Sequence, residues 1–202
     1  MTLAAQSIAS QAPDLSVARR AMIDSQLRVS GINQDWLLDR FAQVLREDHL
    51  PASARAHAYI DRAIPVSKDA AIPAPLVQAM LLAEAAPQAS DTVLIISPSN
   101  YLAALVEPLV QSVETASAAQ AIARQSKTKV SLILIDGAVE TVPKGLVDAL
   151  QDGGRIVAGL VLRKVTRLAV GRKINGTVEL VPLAEIGIPV LAEFAAPKSW
   201  SF

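Results

Sequence analysis

Two rhythms of hydrophobic positions divide the chain near residue 88. Before that point apolar residues recur at three- and four-residue spacings, the period of an amphipathic helix. Asp14 precedes such a stretch, Leu15 to Val29, in which Val17, Met22, Leu27 and Val29 fall on one side. Asp14 is the expected N-cap and Gly31 the stop. Trp36, Leu37, Phe41, Val44 and Leu45 predict a second helix over 34–46. After Pro51 a short helix is expected over 52–60. The proline-rich run from Pro65 to Pro75 reads as extended or looped, and 76–86 as a helix stopped by Pro87.

From residue 92 the rhythm changes. Thr92 to Ile96 is a buried strand candidate, followed by a helix over 101–110, a short strand over 112–115 and an alanine-rich helix over 116–125. Lys129 to Ile135 is a second buried strand, ending in Asp136 and Gly137. A helix over 144–151, closed by Gly153-Gly154, leads to a third strand, Arg155 to Leu162. Strands and helices alternating at this spacing predict parallel βαβ units with helices on both faces. The alternation then stops: 165–173 and 177–181 read as strands, and Asn175-Gly176 between them is a tight-hairpin signal. The expected fold class is α/β. It is a Rossmann-like, mostly parallel sheet with a C-terminal antiparallel hairpin and an N-terminal helical extension, the arrangement of class I methyltransferases.

Composition narrows the chemistry. There is no cysteine, which removes disulfides, thiolate metal sites and cysteine nucleophiles. The two histidines, His49 and His57, have no evident partner set for acid–base work or for zinc. Basic and acidic residues balance at 19 each, so no field argues for nucleic acid. Mean hydropathy is high at +0.35. No apolar run reaches the roughly 18 residues that span a bilayer, so no membrane insertion is expected. The apolar excess reads as core, with part left for a protein partner or a homodimer interface. Trp200 and Phe202 are expected to be packing or interface anchors. Met1 to Pro13 carries no Lys or Arg and no long apolar stretch. It reads as a loose tail rather than a secretory signal, which makes the cytoplasm the expected location. The remainder, 14–202, is expected to form one domain with a helical part (14–88) and a sheet-bearing part (89–202).

Several stretches resemble the protein-L-isoaspartate O-methyltransferase family, in particular its alphaproteobacterial-type branch. They are Ala21 to Leu27, Leu45-Arg46-Glu47-Asp48, Ala58 to Pro65, Leu134 to Glu140, Asp152 to Ala158 and Pro189-Val190-Leu191, in the family's order. The resemblance implies methyl transfer from S-adenosylmethionine to the α-carboxyl of isoaspartyl residues in damaged proteins. Such a reaction needs a cradle for the cofactor, a polar clamp on the carboxylate, and near-attack alignment of the two.

All three family elements are altered. Where the family runs from the first strand into a glycine-rich turn, this chain has Ser97-Pro98-Ser99-Asn100 before Tyr101, and no glycine occurs between Gly31 and Gly137. Glycines there let the backbone turn tightly and approach a ligand; Pro98 instead removes a donor. Ser97, Ser99, Asn100 and Tyr101 are the candidate cofactor contacts if the loop works, but the simpler reading is an ordinary turn with Ser99 or Asn100 capping the next helix. The position of the family's ribose-binding carboxylate holds Ser117, with Glu114 nearby as a substitute or as a solvent-facing strand residue. The segment 116–129 also leaves little room for the strand and loop that usually meet adenine. The substrate clamp corresponds to Ala70-Ala71-Ile72-Pro73, where Ile72 and Pro73 offer no hydroxyl or amide side chain. Asp136 survives at the end of the second strand, as a cofactor or substrate contact or, on the simpler reading, as a capping aspartate. Asp61 and Arg62 read as a solvated pair.

The resulting expectation is a family protein without cofactor that acts as a non-catalytic binding or scaffold homologue. The alternatives are an active S-adenosylmethionine-dependent methyltransferase with an unusual loop, or a pocket turned to another small molecule.

Overall fold

The computed structural model describes residues 14–124 and 128–196. The expected tail and the anchors Trp200 and Phe202 lie outside these. Six strands form the main sheet: β3 (Thr92–Ile96), β4 (Ser112–Ala116), β5 (Val130–Val139), β6 (Leu150–Leu162), β7 (Val165–Ile174) and β8 (Thr177–Glu185). Their spatial order is β4-β3-β5-β6-β7-β8. Pairing is parallel from β4 through β6 and antiparallel from β6 to β8. The doubly wound sheet with a terminal hairpin is therefore as the sequence predicts.

β3 forms because five consecutive β-branched or aliphatic residues suit a strand covered on both faces. Val93 to Ile96 are each at most 1% exposed, so each side chain contributes roughly 2 kcal/mol of burial. One face packs against the N-terminal helices α1 (Ser16–Met22) and α2 (Asp35–Gln43) together with α3 (Pro75–Ala85) and α4 (Tyr101–Val106). The other packs against α5 (Ala118–Ala123) and α6 (Lys144–Ala149). The hairpin closes at Asn175 (φ 51°) and Gly176 (φ 78°), both left-handed as a two-residue turn requires.

Several boundaries differ from the expectation, each for a local reason. The first helix is not continuous to Val29: after Met22 it widens into a π turn (Ile23–Leu27) and then tightens into a 3₁₀ turn (Arg28–Ser30). The Ser25 hydroxyl donates back to the Ala21 carbonyl in this stretch, a bond that competes with regular helix geometry. Asp14 accepts from the Ser16 amide at 2.9 Å but sits one residue ahead of the cap position. α2 ends at Gln43, which frees Arg46 to turn inward on a 3₁₀ turn, Arg46–His49. Residues 52–57 are 3₁₀ rather than α. The proline-rich run forms a small hairpin of β1 (Ile64–Pro65) and β2 (Ala71–Ile72). Gly153-Gly154 does not close α6; both lie in β6 at a register shift, with Gly153 at φ 75°.

The amino ends of the strands are tied by Asp91. Its carboxylate accepts from the Gln88 amide (2.8 Å), the Ser131 hydroxyl (2.6 Å) and the Arg155 guanidinium (2.6 and 3.1 Å). Burial alone would push this carboxyl up, but Arg155, Ser131 and the Gln88 amide outweigh it and hold it below the usual value. Asp91→Asn is expected to cost about 2 kcal/mol, from charge-assisted bonds lost in a nearly buried site. Because the folded-state pKa is depressed, the Asp91 contribution is present above the ordinary carboxylate value and lost as pH falls through the lower folded one. Urea denaturation should therefore separate the two proteins at pH 7, with the difference shrinking as pH falls below the ordinary carboxylate value.

Candidate functional site

The chain passes from β3 to β4 on one side and then returns to β5 on the other. Such a reversal opens a crevice beyond the carboxyl ends of the strands, where ligands of open α/β sheets bind. Two adjoining cavities occupy it. The first, about 230 Å³, lies between the β1–β2 hairpin tip, the end of β3 and the chain segment after β8, with Ser67, Asp69, Ser97, Leu191 and Glu193 on its walls. The second, about 190 Å³, shares Ser97, Pro98 and Ser117 and extends to Ser99, Asn100 and Gln120. A larger groove of about 540 Å³ on β7 and β8, beside Glu84, Arg155, Arg172 and Glu179, lies away from the switch point.

Beneath the crevice runs a buried polar chain. Asp136 is fully buried and accepts from Gln78 Nε2 (3.0 and 2.9 Å) and from the Ser97 hydroxyl (2.8 Å). The oxygen of the Gln78 amide accepts from Arg46 Nη1, and Arg46 Nη2 donates to the Pro73 carbonyl at 2.6 Å. Arg46 also lies over the Tyr101 ring, with its guanidinium carbon 4.9 Å from the centroid. Burial pushes the Asp136 carboxyl up to about 6, while Ser97, Gln78 and Arg46 pull it back. Burial likewise lowers the Arg46 value, opposed by Tyr101 and Asp136. A buried cation and a buried anion thus share one amide between them.

The sequence-derived candidates scatter across this arrangement. Ser97 and Asp136 are brought together. Asp136 is not a capping residue: β5 continues past it because Ala138 pairs with Gly159 of β6 and with Val190 of the returning chain. The turn at 97–100 is held by its own hydroxyls, since the Ser99 amide donates to Ser97 Oγ (3.2 Å) and the Tyr101 amide to Ser99 Oγ (3.3 Å). Asn100 holds the cap position of α4 but makes no capping bond with its side chain. Tyr101 is not in the crevice; it is buried among Phe41, His49 and Arg46. Burial pushes its phenol up, and among the described residues the hydroxyl has no hydrogen-bond partner. Ser117 caps α5 in a reciprocal box with Gln120, and Glu114 pairs with Arg124. Ile72 and Pro73 are packed away from solvent. Asp61, Arg62 and His57 are exposed, and no cluster among the described residues could hold a metal ion.

The family model for protein-L-isoaspartate(D-aspartate) O-methyltransferase matches residues 18–132, more than half of the chain. The chain belongs to this family. A protein-L-isoaspartate O-methyltransferase of Methanoculleus marisnigri is 27% identical over 203 aligned positions, spanning 87% of this chain and 92% of the relative. One from Roseiflexus castenholzii is 36% identical over 111 positions, spanning 54% and 50%. A Plasmodium falciparum protein assigned to the same activity, solved in complex with S-adenosyl-L-homocysteine, superposes with a TM-score of 0.66. At 17% identity it covers 87% of this chain and 98% of that one, and shows the fold.

Within this methyltransferase family member, Arg46 and Gln78 are the site residues that sequence reasoning missed. Gln78 left a signal, as the single amide in an otherwise apolar helix, Pro75–Ala85, apart from Glu84. The segment after β8 was also missed. Leu191 donates its amide to the Ala138 carbonyl (2.8 Å) and lays its side chain on Gly137, while buried Phe194 anchors the same segment three residues further on.

Proposed function

We propose that this protein keeps the methyltransferase fold but does not grip S-adenosylmethionine, and that it works as a non-catalytic binding member of its family. One observation carries the reading: several of the groups that would hold the cofactor are bonded to one another. At the turn after β3 the Ser99 and Tyr101 amides are spent on the hydroxyls of Ser97 and Ser99, and Pro98 has no amide hydrogen to give. At the end of β4, where a carboxylate would accept ribose hydroxyls, Ser117 is committed to Gln120 through both its amide (2.8 Å) and its hydroxyl (3.2 Å). Opening these bonds to seat a ligand forfeits about 1 kcal/mol for each, and two or three of them weaken binding by orders of magnitude.

The residues present therefore do not fit the cofactor that the family name implies. The clamp position supports the same reading: Ile72 and Pro73 have no polar side chain, and Pro73 has no amide hydrogen to give a carboxylate. Calorimetry with S-adenosylmethionine and S-adenosylhomocysteine is the direct test. No heat up to millimolar ligand is expected. Micromolar affinity, with methylation of an isoaspartyl peptide, would overturn the reading and establish an active methyltransferase with a serine–asparagine loop.

A further inference from the structure

We propose that the 230 Å³ cavity at the carboxyl ends of β3 and β4 binds a small organic cation, a primary amine on a short apolar body. The inference rests on the proposed function, in which this crevice no longer holds S-adenosylmethionine.

The walls present hydrogen-bond acceptors, and many of their donors are spent. The backbone amides of Ser67, Ser97, Ser117 and Leu191 donate within the protein, to Ala70 O (3.2 Å), Ala116 O (3.2 Å), Gln120 Oε1 (2.8 Å) and Ala138 O (2.8 Å). Pro98 has none. Ser97 gives its proton to Asp136, and one of its two lone pairs takes the Ser99 amide. What it can offer the cavity is the remaining lone pair. Two carboxylates, Asp69 on the β1–β2 hairpin tip and Glu193 after β8, line the cavity, and among the described residues no Lys, Arg or His does.

An ammonium group matches this set: it carries three donors, no acceptor and a positive charge. A carboxylate or phosphate would meet two like charges and find few donors. Val66, Ile96 and Leu191 are the larger apolar side chains of the lining. The volume is below the ~300 Å³ of ordinary drug-sized sites, which limits the body to a short chain or a single ring. Behind this wall the Asp136 carboxylate keeps the Ser97 hydroxyl turned inward, so the acceptor character is built into the core rather than left to surface side chains.

The probes are 2-phenylethylamine, with 2-phenylethanol and 3-phenylpropionate as the neutral and anionic analogues of the same shape. Titration of the full chain at low salt, followed by amide NMR, should show the amine shifting Ser97, Asp69 and Glu193. Its affinity should exceed that of the alcohol by about tenfold, with no binding of the acid. The Asp69→Asn/Glu193→Gln double variant should lose about the same factor without a change in melting temperature, because both side chains are exposed. Equal affinity for amine and alcohol, or amine binding that survives in the double variant, would overturn the proposal. S-adenosylhomocysteine is titrated in parallel. Its binding would overturn the proposed function whatever the amines do, whereas failure of the amine with no binding of S-adenosylhomocysteine overturns this inference alone.

Discussion

Replacing Arg46 with methionine should destabilise the protein by about 3 kcal/mol at pH 8, because it strands a buried carboxylate and strips two acceptors of their donor. Methionine keeps the apolar stem of the side chain, so the loss is mainly of charge and hydrogen bonds, with the volume of the guanidinium and its contact with Tyr101 lost as well. The Gln78 oxygen and the Pro73 carbonyl lose their partner, and Asp136 loses the cation that helps hold its proton off.

The pH dependence gives this prediction its distinguishing mark. Asp136 has a folded-state value near 6, raised by burial above the ordinary 3.8. The folded protein therefore binds this proton more tightly than the unfolded chain. The stability it contributes is fully present below 3.8 and is lost as pH rises through 6. Removing Arg46 raises the folded value further. At pH 5 Asp136 is largely protonated with or without Arg46, so the penalty of the substitution should be about 1 kcal/mol smaller there than at pH 8. Guanidinium denaturation of both proteins at the two pH values measures this. An equal penalty at both would show that Arg46 acts through packing and its Pro73 bond, not through the carboxylate.

The second large effect is expected at Gly159, in the central parallel pair of strands. A β-carbon there would stand 2.8 Å from both the Cα and the Cβ of Ala138 and 3.0 Å from the Gly137 carbonyl oxygen. None of these can swing aside, because Ala138 is also paired with Val190. Gly159→Ala should cost about 3 kcal/mol, seen as a melting temperature lower by roughly 6–12 °C. Gly137→Ala makes a different demand. The atoms nearest its new carbon would all be side-chain atoms of Leu191, at 2.6–2.9 Å, rather than backbone. A cost near 1 kcal/mol is expected, roughly the low end for overpacking, with faster hydrogen exchange of the Leu191 amide, whose bond to Ala138 would loosen. Equal melting temperatures for the two variants would mean that β5 yields at Gly159 as easily as the returning segment does at Leu191.

Much of the sheet is legible from neighbouring residues. Thr92–Ile96 carries its strand boundaries in an unbroken β-branched and aliphatic run, and the sequence expectation matches them residue for residue. Asn175-Gly176 specifies the hairpin because only such residues take two successive left-handed conformations without strain. The helix ends were less legible. Val44 and Leu45 continue the helical spacing beyond Gln43 while the backbone has already become extended, and Arg46 turns into the core on the next 3₁₀ turn. Gly153-Gly154 reads as a helix stop but serves as a bulge in β6.

At the crevice, sequence alone placed Ser97 after the right strand, and Asp136 on the right strand but at its end, whereas β5 runs on to Val139. It could not find that Asp136 is neutralised by Arg46 through Gln78, across separations of 58 and 32 residues. Periodicity, turn chemistry and capping are set by residues within a few positions of one another, so the order of elements, the parallel topology and the loss of glycines from the turn were fixed along the chain itself. Which buried donor meets which buried acceptor depends on how crossovers bring distant elements to one point. Only the tertiary structure therefore decided that the crevice rests on an arginine–glutamine–aspartate chain, and that the Ser99 and Tyr101 amides of the turn are bonded to the hydroxyls of Ser97 and Ser99.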